Sequence, residues 1–309
     1  MDIVLEISKG ILEQGLIYGI MALGVYISYQ VLDFPDLSVD GTFPLGAAIT
    51  AILTLRQVNP WLASLLSFFA GGLAGLVTGL LHVKLKIKDL LSGILTMTAL
   101  WSVNLAIAKT SLLSTYGART IFNSGPILLL PAGLTPWRTL ILAFHLALFM
   151  KYVLDWYLTT RSGLLLRAVG DNPQLVISLA QNPGYIKILG LIISNGFAAL
   201  SGSILCQQQR FFDVNMGAGI IVIGLASVII GMTVFKNLPL GKYTSMVLLG
   251  SILYKAALAI ALNLGFDPNY LKLIMAILFT VALVSNRVLE KKEGGPKRSV
   301  HLGIEEKLK

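Results

Sequence analysis

Residues 217–235 read Gly-Ala-Gly-Ile-Ile-Val-Ile-Gly-Leu-Ala-Ser-Val-Ile-Ile-Gly-Met-Thr-Val-Phe, nineteen consecutive residues without a charged side chain. As an α-helix this stretch is about 28 Å long, close to the roughly 30 Å thickness of a bilayer core. Backbone polar groups have no partners in lipid, so only helices and closed barrels span it. Barrel strands alternate in polarity over about ten residues, and this stretch does not. It therefore predicts a transmembrane helix.

The rest of the chain repeats this pattern. Only 13% of its residues are charged, against about 25% in soluble domains. The other apolar segments are 10–32, 37–55, 61–83, 90–109, 137–158, 188–206, 243–264 and 270–289. Segment 37–55 is continuously apolar only from Phe43 to Leu55, so it is a broken or tilted span or a half-helix. We predict an all-α integral membrane protein, a polytopic bundle of about 8–9 transmembrane helices over residues 1–290, followed by a basic tail, 291–309.

Basic residues are distributed unevenly between the loops. Segments 84–89, 159–187, 236–242 and the tail hold lysines and arginines on one side of the predicted bundle. Cytoplasmic loops carry this excess, so the C-terminus is predicted to be cytoplasmic in a multi-pass protein. The same bias explains the net charge of +9 without a nucleic-acid partner. The one cysteine, Cys206, excludes a disulfide within the chain.

Motifs for catalysis and nucleotide binding are missing. A phosphate-binding loop needs GxxxxGK followed by Ser or Thr, whereas Tyr243 follows Gly241-Lys242 and Lys236 replaces the first glycine. The three histidines are far apart and no HExxH or GxSxG is present. We therefore predict no enzyme activity, no metal site and no cofactor, and any energy input must come from a partner or an ion gradient. An intramembrane enzyme would need a catalytic pair that the sequence does not offer.

Two polar segments interrupt the apolar pattern. Residues 33–46 hold three acids, Asp33, Asp36 and Asp40, which are costly at membrane depth and suggest a water-filled cavity or half-helix end. The alternative is a short cytoplasmic loop with ordinary helix capping. Residues 160–187 form a long loop too apolar to be only solvated. In it Asn172 and Pro173 predict the start of a short helix, about 173–180, that lies in the interface or docks in a groove of another protein.

Six segments, taken in order, resemble one family of permeases. They are Gly15-Leu-Ile-Tyr-Gly-Ile-Met-Ala-Leu-Gly24, Asp36 to Gly46, Thr160-Arg-Ser-Gly-Leu-Leu-Leu-Arg-Ala-Val-Gly-Asp171, Gly196-Phe-Ala-Ala-Leu-Ser-Gly202, Gly224-Leu-Ala-Ser-Val-Ile-Ile-Gly231 and Leu240-Gly241. Together they resemble the permease subunits of bacterial ABC importers in the branched-chain amino acid and ribose family. The sequences of residues 37–43 and 91–98 resemble those of a less characterised subgroup, some members of which are linked with aromatic amino acids.

The resemblance implies a type II-like ABC permease in the bacterial cytoplasmic (inner) membrane. Its partners would be membrane lipid, cytoplasmic ATP-binding subunits, an extracytoplasmic substrate-binding protein and a second permease copy, as a homodimer or heterodimer. A small solute, an amino acid or related compound, would pass between polar residues: Asp36, Ser38, Asp40, Thr42, Thr96, Thr98 and Asn104. Coupling to the ATPase would involve Arg161, Gly163, Arg167, Gly170, Asp171, Asn172, Pro173, Leu175 and Leu179.

An ion-coupled secondary transporter is the alternative function. It would carry a paired acid and base at the midplane of facing helices, and Lys255 together with the acids at 33–40 leaves this possibility open.

Overall fold

The computed structural model describes residues 2–129, 131–236 and 242–265, together with 270, 273, 274, 276, 277, 280, 281 and 284. Most of this part of the chain is helical. Its α-helices are α1 (Asp2–Val25), α2 (Val39–Leu55), α3 (Pro60–Val83), α4 (Asp89–Ala108), α5 (Arg138–Thr159), α6 (Arg161–Asp171), α7 (Pro173–Ser178), α8 (Pro183–Gln209), α9 (Ile220–Val234) and α10 (Tyr243–Asn263). A π-helical segment, Tyr26–Val31, continues α1, and two short strands are β1 (Leu112–Ser114) and β2 (Phe211–Asp213).

The helix lengths confirm a polytopic all-α membrane protein. Within the described residues, seven helical stretches are long and apolar enough to cross a membrane, and α2 is a shorter apolar helix. The predicted segment 37–55 is therefore a short helix that starts at Val39, as its interrupted apolar pattern indicated. Most of the predicted ninth segment, 270–289, and the tail 291–309 lie outside the described residues.

Small residues allow α3 to pack closely on α8. Gly71, Gly75 and Gly79 share one face of α3, and that face lies against α8. A Cβ atom added at Gly75 would collide with the Leu191 carbonyl, and one added at Gly71 would collide with the Asn195 carbonyl. Small residues at such contacts are typical of membrane helices, which gain packing when their backbones approach.

The segment between α4 and α5 is anchored by a two-stranded sheet. β1 pairs with β2 in antiparallel register, with Leu113 opposite Phe212. The Ile121 amide donates a hydrogen bond to Gln207 Oε1 at 2.9 Å, which fixes the segment to the end of α8. Because β1 follows α4 and β2 follows α8, these two helices end at the same end of the bundle, as the predicted topology requires.

The segment between α5 and α8 differs from the prediction in two respects. Residues 161–171, expected as loop, form the helix α6, which the Thr160 hydroxyl caps by accepting from the Gly163 amide at 3.3 Å. The short helix predicted near 173–180 is present as α7, capped by Asn172 and begun by Pro173. It ends at Ser178, two residues early, and the chain turns at Ala180 with a φ of +55°.

Candidate functional site

The start of α2 contains a network of buried polar side chains formed by Asp36, Ser38, Thr42 and Asn195, hereafter the buried polar network. One oxygen of Asp36 accepts from the Ser38 amide at 2.9 Å and from the Ser38 hydroxyl at 2.6 Å. The other accepts from Asn195 Nδ2 at 2.7 Å, and the Thr42 hydroxyl donates to Asn195 Oδ1 at 2.7 Å. All four side chains are buried. The network joins α2 to α8, and its polar side chains form hydrogen bonds with one another.

Asp40 faces away from this network, toward the start of α9. Its carboxylate accepts from the Gly219 amide at 3.0 Å and from the Ile221 amide at 2.7 Å. A carboxylate at a helix N-terminus satisfies free amides and interacts favourably with the helix dipole. Gly219, with a φ of +86°, provides the left-handed turn into α9. Asp40 therefore holds α9 in place beside α2.

A cavity of about 320 Å³ opens between α2, α4 and residues 214–219, and we call it the α2–α4 cavity. Its wall combines apolar and polar groups from all three elements. The lining residues are Asp40, Gly41, Pro44, Met97, Thr98, Trp101, Asn104, Val214, Asn215, Ala218 and Gly219. Such a mixture, largely apolar with a few placed polar groups, is typical of a small-molecule site.

Asn104, in the wall of the cavity, has an unused acceptor that is itself buried. Its Nδ2 donates to the Gly41 carbonyl at 3.0 Å, whereas its Oδ1 has no hydrogen-bond partner among the residues described. A carbonyl oxygen can only accept, so the contact with Gly41 fixes which end of the amide is the nitrogen. Asn104 is fully buried, and a buried acceptor without a partner costs about 1–3 kcal/mol. A hydrogen-bond donor from a solute would remove this cost.

The seven predicted pathway residues thus fall into three places. Asp40, Thr98 and Asn104 line the α2–α4 cavity. Asp36, Ser38 and Thr42 belong to the buried polar network. Thr96 is buried between α3 and α4, where its hydroxyl accepts from the Thr78 hydroxyl at 2.9 Å and donates to the Ser92 carbonyl at 3.0 Å.

Sequence analysis missed several residues of these sites. Trp101 and Asn215 line the cavity, and Asn195 connects the buried polar network. Asn195 carried a usable signal, because it is an amide in the middle of a 27-residue apolar helix. Trp101 carried none, since an aromatic residue in an apolar span is ordinary.

The residues predicted for coupling lie at the opposite end of α5 from the β1–β2 sheet. Gly163 and Gly170 are packing contacts, against the backbone of Leu158 and the Val31 carbonyl respectively. On α7, Leu175, Ile177 and the following Leu179 are exposed, whereas Val176 is buried. The other predicted coupling residues are placed on α6 or at the start of α7; they are Arg161, Arg167, Asp171, Asn172 and Pro173.

Lys255 does not form the acid–base pair that a secondary transporter would use. Its ammonium lies 3.6 Å from the centroid of the Tyr18 ring, and Tyr18 stacks on Phe43 at 5.9 Å. No carboxylate among the described residues pairs with it. The described residues also contain no group of three His, Cys, Asp or Glu side chains that could hold a metal ion.

A helical membrane bundle with an amphipathic cavity and a short exposed apolar helix at one end defines a transport permease, and comparison with known proteins supports this class. The chain matches the family model "Branched-chain amino acid transport system / permease component" over residues 8–283. It is 44% identical over 278 residues to the tyrosine transport system permease protein of Clostridioides difficile, with 90% of each chain covered. It is 26% identical to the ribose import permease protein RbsC of Bacillus subtilis, over 90% of this chain and 83% of that one.

A solved structure supports the fold. PsaBC from Streptococcus pneumoniae in complex with Fab aligns with a TM-score of 0.52 and 14% identity, over 91% of this chain and 94% of that chain. The protein described here belongs to the branched-chain amino acid transport permease family and is a permease subunit of an ABC importer. The predicted family and fold class are confirmed.

Proposed function

We propose that this permease imports an amino acid or a closely related small solute, powered by ATP hydrolysis in cytoplasmic partner subunits. An extracytoplasmic binding protein delivers the solute, and the permease works as a homodimer in the bacterial inner membrane. In this proposal residues 1–290 are the membrane domain, and the tail 291–309 lies in the cytoplasm. L-tyrosine is the first solute to test, because the Clostridioides difficile relative is a tyrosine permease.

The α2–α4 cavity is the observation that carries this proposal. Trp101, Met97 and Pro44 offer apolar surface for a solute side chain. Asn104 carries a buried acceptor, Oδ1, in the same wall, and the solute's ammonium or hydroxyl group would reach it when the cavity widens during transport. Its volume of about 320 Å³ is at the lower end of the range of small-molecule sites, about 300–1,000 Å³. Both features suit an amino acid with a large apolar side chain better than a sugar, which needs many polar contacts.

The exposed face of α4 supports the homodimer. Trp101 contributes to the cavity wall and is half exposed, and Leu91 and Leu95 are exposed on the same helix. A second copy that packed against α4 would cover these side chains and close the cavity on its open side. The solute would then pass between the two permeases, next to Asn104 and Thr98.

The exposed side chains of α7 support the docking of an ATPase subunit. Leu175, Ile177 and Leu179 are more than half exposed, at 51%, 59% and 56%. A short helix that leaves apolar residues uncovered while Val176 anchors it fits the helix-in-groove mode of recognition. Movement of the ATPase would then be transmitted through α6 to the bundle.

The proposal is tested by co-purifying the chain with its partners from native membranes and reconstituting the complex in vesicles. We expect a soluble nucleotide-binding protein to co-purify and to drive ATP-dependent uptake of L-tyrosine. In the Leu175→Asp variant, uptake should fall about tenfold or more, because a charge would enter an apolar groove. Leu85→Asp is the matched control, since Leu85 is an exposed leucine at the same end of the bundle, outside α6 and α7.

Two results would contradict the proposal. If the chain purifies alone and still transports in vesicles without ATP, transport is not driven by a partner. If Leu175→Asp and Leu85→Asp both transport normally, α7 is not the coupling helix.

A further inference from the structure

A second cavity, of about 260 Å³, lies where α5, α6 and α10 meet, and we call it the basic cavity. It is at the end of the bundle that carries α7. The lining residues are Tyr26, Asp155, Leu158, Thr159, Arg167, Lys242, Tyr243 and Thr244. None of these side chains is needed for the proposed solute path, which lies at the α2–α4 cavity.

Cations outnumber carboxylates around this cavity. Asp155 is buried, and its Oδ2 lies 2.9 Å from Lys151 Nζ and 3.4 Å from Lys242 Nζ. The Thr244 hydroxyl donates to its Oδ1 at 2.6 Å. One carboxylate is therefore shared by two lysines and a hydroxyl, and both of its oxygens are occupied.

Arg167 adds a further positive charge. It lines the cavity from α6 and is exposed, and in the described part of the chain no carboxylate pairs with it. Residues 237–241, next to Lys242 in the chain, contain no acid. Among the described residues of the cavity and their ion-pair partners, Lys151, Lys242 and Arg167 face one carboxylate, Asp155, which is an excess of two positive charges. A cavity with such an excess of cations attracts an anion.

The surrounding donors suit a phosphate group in particular. Arginine binds phosphate through a planar fork of two N–H groups, and lysine adds a point charge. The N-terminus of α10 begins at Tyr243 with no acidic residue in its first turn and no side chain capping it, so its dipole also favours an anion.

We propose that the basic cavity binds a phosphate group, with Arg167 and Lys242 as its main ligands. The phosphate belongs to an anionic phospholipid headgroup or to a soluble phosphate compound. The bilayer is the nearer source, because the cavity lies at the ends of two spanning helices, α5 and α10, where basic clefts between helices bind headgroups. Bound phosphate would connect α6 to α5 and α10, and so stabilise the helix that precedes α7.

The test uses the full-length chain, delipidated in a neutral detergent, and follows its melting temperature during titration. The probes are phosphatidylglycerol, phosphatidylcholine and inorganic phosphate, each at constant ionic strength. We expect phosphatidylglycerol to raise the melting temperature and phosphatidylcholine to leave it unchanged. The apparent affinity should fall about tenfold in Arg167→Gln and again in the double variant Arg167→Gln/Lys242→Gln.

Two variants keep this test decisive. Arg167→Gln breaks no ion pair among the described residues, so its folding should be unaffected. Lys84→Gln/Lys187→Gln removes two positive charges from the same end of the bundle but outside the cavity, and it should bind like the parent protein. If inorganic phosphate reproduces the shift with the same dependence on Arg167 and Lys242, the ligand is a soluble phosphate compound. The proposal fails if no probe shifts the melting temperature, or if the two double variants behave alike.

Discussion

Two polar regions lie side by side at the start of α2, and they differ in how completely their polar atoms are paired. In the buried polar network, both oxygens of Asp36 accept hydrogen bonds and both ends of the Asn195 amide are engaged. In the α2–α4 cavity, Asn104 uses its nitrogen and leaves its oxygen without a partner among the described residues. Asp36, which belongs to the network, and Asp40, which lines the cavity, are only four positions apart.

This difference separates a structural role from a binding role. A fully paired buried network stabilises one arrangement of helices, and no solute can compete for its atoms without breaking it. An unpaired buried acceptor destabilises the folded protein, and a hydrogen bond from a bound solute can offset that loss. Variants of the two regions should therefore behave differently.

The largest effect is expected for Asp36→Asn. The new amide can place its nitrogen against the Asn195 Nδ2 donor or, after a flip, against the Ser38 amide and hydroxyl. Either orientation brings two donors together in a buried site. The free energy of unfolding should fall by about 1–3 kcal/mol or more, measured as a lower melting temperature in detergent and a smaller yield of folded protein.

Asp33→Asn is the matched control, because Asp33 is exposed and Asn also tolerates its φ of +52°. It should melt like the parent protein. The exchanged pair Asp36→Asn/Asn195→Asp restores one donor–acceptor contact and should recover part of the lost stability. Equal melting temperatures for Asp36→Asn and Asp33→Asn would show that the network does not stabilise the bundle.

Much of the fold follows from the sequence, since apolar length determines the spans. Segments 61–83, 90–109 and 243–264 match α3, α4 and α10 to within two residues at each end. α6 was missed because residues 161–171 have neither the length nor the polarity pattern of a spanning helix. Its buried residues Gly163, Leu166 and Val169 nevertheless recur every three residues, an amphipathic spacing that could have indicated a short helix.

The site could be predicted only in part. Polar residues in apolar spans identified Asp40, Thr98 and Asn104, which line the cavity, but also Asp36, Ser38, Thr42 and Thr96, which do not. The two groups have the same residue types, so composition cannot distinguish them. The distinction depends on a partner 159 residues away, Asn195, whose amide faces Asp36 only after α8 packs on α2. The roles predicted for the cavity and the coupling residues stay predictions.

A smaller effect, on uptake per folded molecule, is expected at Asn104. Asn104→Leu and Asn104→Asp both lose the hydrogen bond to the Gly41 carbonyl, but only Asn104→Asp keeps an acceptor oxygen at this position of the cavity wall. If that oxygen binds the solute, uptake per folded permease should be about tenfold lower for Asn104→Leu than for Asn104→Asp, since a hydrogen bond to a charged donor contributes about 1.5–3 kcal/mol.

The measurement is ATP-dependent uptake of L-tyrosine by the reconstituted complex, normalised to the amount of folded permease. Both variants lose the donor to Gly41, and only Asn104→Asp keeps an acceptor, now with a negative charge, so higher uptake by Asn104→Asp reports its attraction for a donor of the solute. Equal uptake by both variants would mean that the solute does not use Asn104. If the complex takes up another amino acid but not tyrosine, the assignment of the solute changes and the role proposed for the acceptor does not.

The smallest effects are expected at Thr96 and Thr98, two threonines on α4 that sequence analysis treated alike. The Thr98 hydroxyl already donates within its own helix, to the carbonyls of Ile94 and Leu95. Thr98→Val should therefore change uptake by less than about threefold, even though the side chain lines the cavity.

The Thr96 hydroxyl joins α4 to α3 through Thr78. Thr96→Val should therefore lower the free energy of unfolding by about 1 kcal/mol and leave uptake per folded molecule unchanged. The melting temperature and the uptake of both variants test this assignment. If Thr96→Val loses uptake and Thr98→Val loses stability, the solute path lies between α3 and α4 instead.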